Sequence, residues 1–134
     1  MTLHNDEPTL FDKLERGSLV REVGNTIATC QPPHVIGVHG DWGLGKTSFL
    51  QQLQWYLSGD CPQQGDIPPA DRTKLNESLP GGIHKLHTSV VWFEAWRYQH
   101  EAAPVIALLQ EMRSQLSWYV KARRQAAKLG TVAV

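Results

Sequence analysis

Residues 34–48 read His-Val-Ile-Gly-Val-His-Gly-Asp-Trp-Gly-Leu-Gly-Lys-Thr-Ser, and this stretch decides the fold. The run from His34 to His39 is short and rich in β-branched residues, with prolines before it and glycines after, the pattern of a buried strand. Gly40 to Thr47 match G-x-x-x-x-G-K-[ST] at every fixed position. Over 46–57, Phe49, Leu50, Leu53, Tyr56 and Leu57 recur at the spacing of a helix packing on a sheet. Strand, glycine-rich loop and helix in that order make a phosphate-binding loop.

Each position of the loop has a mechanical job. Gly40, Gly43 and Gly45 allow backbone conformations barred to side chains, so that several N–H groups turn toward one anion. The helix opening at Lys46 adds its first N–H groups and the positive end of its dipole. Lys46 is expected to reach the β- and γ-phosphates, and the Thr47 hydroxyl to be one ligand of Mg²⁺. Asp41, Trp42, Leu44 and Ser48 complete the expected nucleotide site. The expected cofactors are ATP and Mg²⁺, although phosphate recognition by backbone N–H groups does not read the base.

Outward from the loop, residues 1–9 are polar and are expected to be loose. From Leu10 to Cys30, Leu19, Val20, Val23 and Ile27 fall at helical spacing. Ser18 offers an N-cap, Gly17 divides the stretch, and Pro32-Pro33 ends it. Residues 58–87 hold four prolines (Pro62, Pro68, Pro69, Pro80) and four glycines (Gly59, Gly65, Gly81, Gly82), and read as a long loop or insertion. Thr88 to Phe93 is a second strand candidate. A helix led by Pro104 is expected to run to Lys128, with Val105, Leu108, Leu109, Met112, Leu116 and Tyr119 on one face. This order predicts an α/β fold, the beginning of a parallel three-layer sandwich. Two candidate strands would leave an open edge, so the sheet is expected to be incomplete. Either a C-terminal half or a partner chain would have to complete it.

The rest of the composition narrows the class. The chain has 134 residues, room for one small domain. Lys plus Arg and Asp plus Glu number 13 each, so no global charge draws the chain to nucleic acid. Cys30 and Cys61 fit no metal-ligand spacing and read as free thiols. The N-terminus lacks a basic region followed by an apolar one, and no apolar run approaches the ~20 residues that cross a bilayer. The expected location is the cytoplasm.

Hydrolysis needs an acidic residue at the end of another strand to hold Mg²⁺, and a group that orients water. No apolar run after Thr47 ends in Asp-Asp or Asp-Glu. Glu94, closing Val-Val-Trp-Phe-Glu, is the one acidic candidate. It would either approach the γ-phosphate or a water, or pair with Arg97 or face solvent.

The loop, followed further on by Val-Trp-Phe-Glu-Ala-Trp-Arg-Tyr-Gln over 91–99, resembles the KAP family of P-loop NTPases. That family typically shows G-x-W-G-x-G-K-T-S and then a strand ending Phe-Asn-Ala-Trp-(Arg/Lys)-Tyr. The resemblance runs from about Leu10 to about Tyr119 and covers the N-terminal part of the family's domain. It implies an ATPase, a hydrolase acting on ATP, once C-terminal elements complete it, and it adds peripheral membrane association as an option. It carries Gly40, Gly43, Gly45, Lys46, Thr47 and Ser48 over to the nucleotide site, and Ala95, Trp96, Arg97 and Tyr98 match the second motif. Glu94 stands where the family usually has Asn.

Other features have plainer readings. Trp42, Trp55, Trp92, Trp96 and Trp118 suit stacking on a ligand but more often pack a core. His84 and His87 lack partners at metal-ligand spacing. Lys121, Arg123, Arg124 and Lys128 complement a helix C-terminus, with anionic lipid or nucleic acid as the lesser alternative. Two further functions stay open: a small P-loop kinase using Glu94, although an arginine-rich lid is missing, and a non-catalytic remnant or interaction module.

Overall fold

The structure, a computed structural model, describes residues 8–11, 15–41 and 45–116. The chain divides into two units, Met1–Thr88 and Ser89–Val134. In the first, helix α1 (Gly17–Thr29) packs on helix α2 (Lys46–Ser58). Gly17 is the first residue of α1, so it opens the helix and does not divide it, and Arg16, not Ser18, holds the cap position. The helix stops at Cys30, whose extended backbone sends its N–H back to the Thr26 carbonyl ahead of Pro32-Pro33. The two helices approach closely at Gly24, where a Cβ would stand 2.4 Å from the Tyr56 ring. Only a residue without a side chain fits there.

Helix α2 is the hub. Every residue from Gln51 to Ser58 is buried, the glutamines 51, 52 and 54 included. A helix lying on one side of a sheet would show a polar face; this one is enclosed all round. Its C-terminal end is wrapped by the stretch after it. The Trp55 indole N–H donates to the Leu79 carbonyl at 2.9 Å, and the Trp55 carbonyl accepts from Gly59 and Gly82. Within 58–87 lies a further helix, α3 (Pro69–Ser78), with proline at its first position, where the missing N–H costs nothing. It seals Leu75 against the core and places the Arg72 guanidinium 5.7 Å over the Trp55 ring. Trp55, Leu75, Leu79, Val20 and Cys61 are fully buried. Each fully buried aliphatic side chain among them contributes on the order of 1.5–3 kcal/mol. Cys61 and Cys30 are both free, and burial pushes the Cys61 thiol above its usual range.

In the second unit, an extended stretch over 88–94 leads into a 3₁₀ turn (Ala95–Tyr98) and then helix α4, described over 104–116. The face expected for α4 is only partly the one it covers. Val105 and Leu109 are 65% and 58% exposed, whereas Ala107 is buried and Leu108, Met112 and Leu116 are half-buried. Tyr119 and Lys128 lie outside the described residues.

The expected α/β sandwich is corrected by the structure. Among the described residues there is no strand and no sheet, and every regular element is helical. The runs 34–39 and 88–93 are extended, but a strand exists only when its N–H and C=O groups pair with a neighbouring strand. Neither run has such a ladder. Every residue of 34–40 is exposed, Val35 by 92%. β-branched composition expresses fitness for a packed pleated surface, and the packed surface here is supplied by α2.

Candidate functional site

The loop is built from the end of the exposed run 34–41 and the start of α2. Gly45 occupies the N-cap of α2 with φ 78° and ψ 27°, a left-handed conformation that costs a side-chain-bearing residue about 1–2 kcal/mol. No side chain caps α2. The first N–H groups of a helix lack intrahelical partners, so α2 opens with its donors and its positive dipole end directed at the loop. The first helical bond is made at Phe49, whose N–H donates to the Gly45 carbonyl at 2.9 Å.

Lys46 reaches back to the end of the 34–41 run. Its ammonium donates to the Gly40 carbonyl and, at 3.3 Å, to the Asp41 carbonyl. The lysine therefore ties its own position back to Gly40, the first fixed position of the motif, and a phosphate would meet this positive charge in competition with two carbonyls. Thr47 is exposed. Ser48 is half-buried, and its hydroxyl accepts the Thr9 N–H at 3.0 Å. Trp42, Gly43 and Leu44 lie outside the described residues.

The second motif belongs to the other unit. Glu94 caps the turn formed by Ala95, Trp96, Arg97 and Tyr98. Its carboxylate forms an ion pair with Arg97, met as a charge partner outside hydrogen-bond alignment, and accepts the Trp92 indole N–H at 3.4 Å. Trp96 is 67% exposed with the Arg97 guanidinium 5.4 Å from its ring centroid, and Phe93 stacks on Tyr98 at 5.1 Å. The Tyr98 hydroxyl donates to Glu111, which raises the phenol's pKa, burial and the nearby carboxylate acting in the same direction.

The matching family model is the KAP family P-loop domain, aligned over residues 18–131. The chain belongs to this family. No curated protein and no solved structure matches the chain. Membership of the KAP family makes it a nucleotide-binding P-loop domain at the level of the family. Among the described residues, no helix is long and apolar enough to cross a membrane, and no group of three or more His, Cys, Asp and Glu is placed to hold a metal ion. His84 instead meets the Asn25 side chain at 2.8 Å and the Tyr56 ring edge-on. Trp118, Lys121, Arg123, Arg124 and Lys128 lie outside the described residues.

Some residues around the KAP loop escaped the sequence reading. Leu10, Gln51, Gln52 and Gln64 hold the chain's start against α2. The available signal was a run of glutamines at positions 51, 52 and 54 of a helix that also carries Phe49, Leu53, Trp55 and Leu57, since enclosed carboxamides call for partners.

Proposed function

We propose that the chain binds ATP with Mg²⁺ through residues 40–48. The observation that carries this is the start of α2 on left-handed Gly45, uncapped by any side chain, with the Lys46 ammonium drawn over the same loop. The chain's own donors fit a polyphosphate: backbone N–H groups of the first turn of α2 for charge spread over the oxygens, and Lys46 for the β- and γ-phosphates. Thr47, exposed beside Lys46, would offer Mg²⁺ one hydroxyl oxygen, with phosphates and water filling the other positions. The bound ion would neutralise phosphate charge. Hydrolysis needs in addition a carboxylate on Mg²⁺ and an oriented water. The Glu94 carboxylate is already engaged by Arg97, so the proposed activity is binding.

Equilibrium titration with a fluorescent ATP analogue, with and without Mg²⁺, tests this. Wild-type chain should bind in a Mg²⁺-dependent way, and Lys46→Ala should weaken binding at least about tenfold, the loss of a charge-assisted phosphate contact. Equal binding by the two proteins would refute the assignment.

A further inference from the structure

Residues 8–11 are fastened to the first turns of α2. The Thr9 N–H donates to Ser48 Oγ at 3.0 Å, and Gln52 Nε2 donates to the Phe11 carbonyl at 3.2 Å. Gln64 Nε2 donates to the Pro8 carbonyl at 2.9 Å and to Gln51 Oε1 at 2.5 Å. Between these ties, the Leu10 side chain is 4% exposed. The Phe11 N–H turns back to the Thr9 hydroxyl at 3.2 Å, closing a local turn. Four consecutive residues, 8 to 11, are thus held by two carbonyls, one amide and one buried side chain.

Of the residues that hold them, Gln64 is exposed and Ser48 is half-buried, whereas the two glutamines of α2 are buried. Gln51 and Gln52 are 4% and 5% exposed. A buried carboxamide that loses its partner is destabilising, so the Phe11 carbonyl is a structural requirement of α2 and not an incidental contact. The anchors on α2 occupy positions 48, 51 and 52, in its first two turns. Ser48 adjoins Thr47 and lies two residues after Lys46. Ser48 Oγ accepts from Thr9, which leaves its O–H and its backbone N–H as donors for a phosphate.

We propose that residues 8–11 form a strap whose docking is coupled to nucleotide binding through the first turn of α2, with Ser48 as the positioning residue that joins the two. The coupling rests on the nucleotide reading given above. A phosphate held by first-turn N–H groups favours the same helix start onto which the strap docks. A docked strap in turn holds those N–H groups in place for the phosphate. Coupling between two sites is reciprocal, so the strap must raise nucleotide affinity by the factor by which nucleotide stabilises the docked strap.

The test uses the full chain and the fluorescent ATP analogue with Mg²⁺. Hydrogen exchange by mass spectrometry over 8–11 should slow about fivefold at saturating analogue, the lower end of usual coupling factors. Ser48→Ala and Leu10→Ala should each raise Kd by the same factor of about five. Ser48→Thr should restore it, because a threonine hydroxyl accepts the Thr9 N–H equally well. Lys46→Ala should abolish the effect of the analogue on exchange while leaving the strap protected without it. If the analogue binds in a Lys46-dependent way yet exchange over 8–11 is unchanged, the coupling is wrong and the nucleotide site stands. If binding does not depend on Lys46, both fall. Should Leu10→Ala unfold, the exchange measurement on wild-type chain decides alone.

Discussion

Two segments of the molecule are alike in sequence and unlike in their surroundings. Residues 34–39 and 88–93 are both short, β-branched runs, and both are extended. The first is exposed at every position. The second is half-buried over 90–94 and is clasped by a side chain 23 positions away: Gln115 accepts the Trp92 N–H at 2.9 Å and donates to the Trp92 carbonyl at 2.8 Å. One carboxamide satisfies both backbone groups of Trp92, as a neighbouring strand would have done. The contrast teaches that a β-branched run does not carry its own anchorage. What holds it is a donor and an acceptor from elsewhere in the chain, and composition is silent about where these come from.

The largest effect should come from removing the clasp. Gln115→Ala strips both partners from the Trp92 backbone and also removes the bond from Gln115 Nε2 to Glu111, 2.9 Å in the native chain. Leaving half-buried backbone groups without protein partners costs about 1–3 kcal/mol. Amide exchange at Trp92 should accelerate accordingly, with exchange over 34–39 unaffected. Unchanged protection at Trp92 would mean that 88–94 is held by a ladder after all, and the contrast between the two segments would collapse.

The sequence made the local part of this architecture legible. The helix after the glycine motif emerges as read, Lys46–Ser58 against an expected 46–57, because helical spacing is a short-range signal. The Glu94–Arg97 pair was one of two alternatives, visible because three residues on a tight turn bring the groups together. Helix α3 was hidden by Pro68 and Pro69 and by having one buried residue, Leu75, too few to show a period. The burial of α2 on all sides was hidden for another reason. Gln51 and Gln52 look like a solvated face until Gln64 and Phe11 are known to bond to them, and those bonds span 13 and 41 positions. On α4, the expected stripe is half-buried at Leu108, Met112 and Leu116 but exposed at Val105 and Leu109, and Ala107, outside that stripe, is the buried residue. The sheet failed for the reason already seen at 34–39: pairing is a property of two segments, and propensity describes one.

A smaller effect should appear at high pH in the second unit alone. The Tyr98 hydroxyl donates to Glu111 Oε1 at 3.1 Å, and this bond exists only while the phenol is protonated. Its folded pKa lies above the ordinary value of 10.0, chiefly because of that bond. A group whose pKa is raised on folding lends stability that is fully present below the unfolded pKa and is lost as pH rises through the folded one. The contribution should therefore hold to about pH 10 and fade above it. Phenolate absorbance should show Tyr98 titrating later than a free tyrosine, and Tyr98→Phe should remove that late step. If Tyr98 titrates at or below the ordinary value, the bond to Glu111 is not maintained in solution, and the order around the clasp is less than the structure shows.

The smallest expected effect is the sharpest test of the exposed segment. Val35 is 92% exposed, and the structure gives its side chain nothing to pack against. Val35→Lys should then change unfolding free energy by no more than about 0.5 kcal/mol, as for a surface site away from any special feature. In a central strand of a covered parallel sheet, the same change would bury an unpaired ammonium and cost several kcal/mol. Thermal or denaturant unfolding of the two proteins separates these outcomes widely. A near-zero change keeps 34–39 as an exposed lead into the phosphate loop. A large loss would show that the run is covered in solution, and the helical arrangement would have to be redrawn around it. Because the two expectations differ severalfold while the substitution leaves Gly40 to Ser48 untouched, the result would bear on the fold without disturbing the nucleotide site.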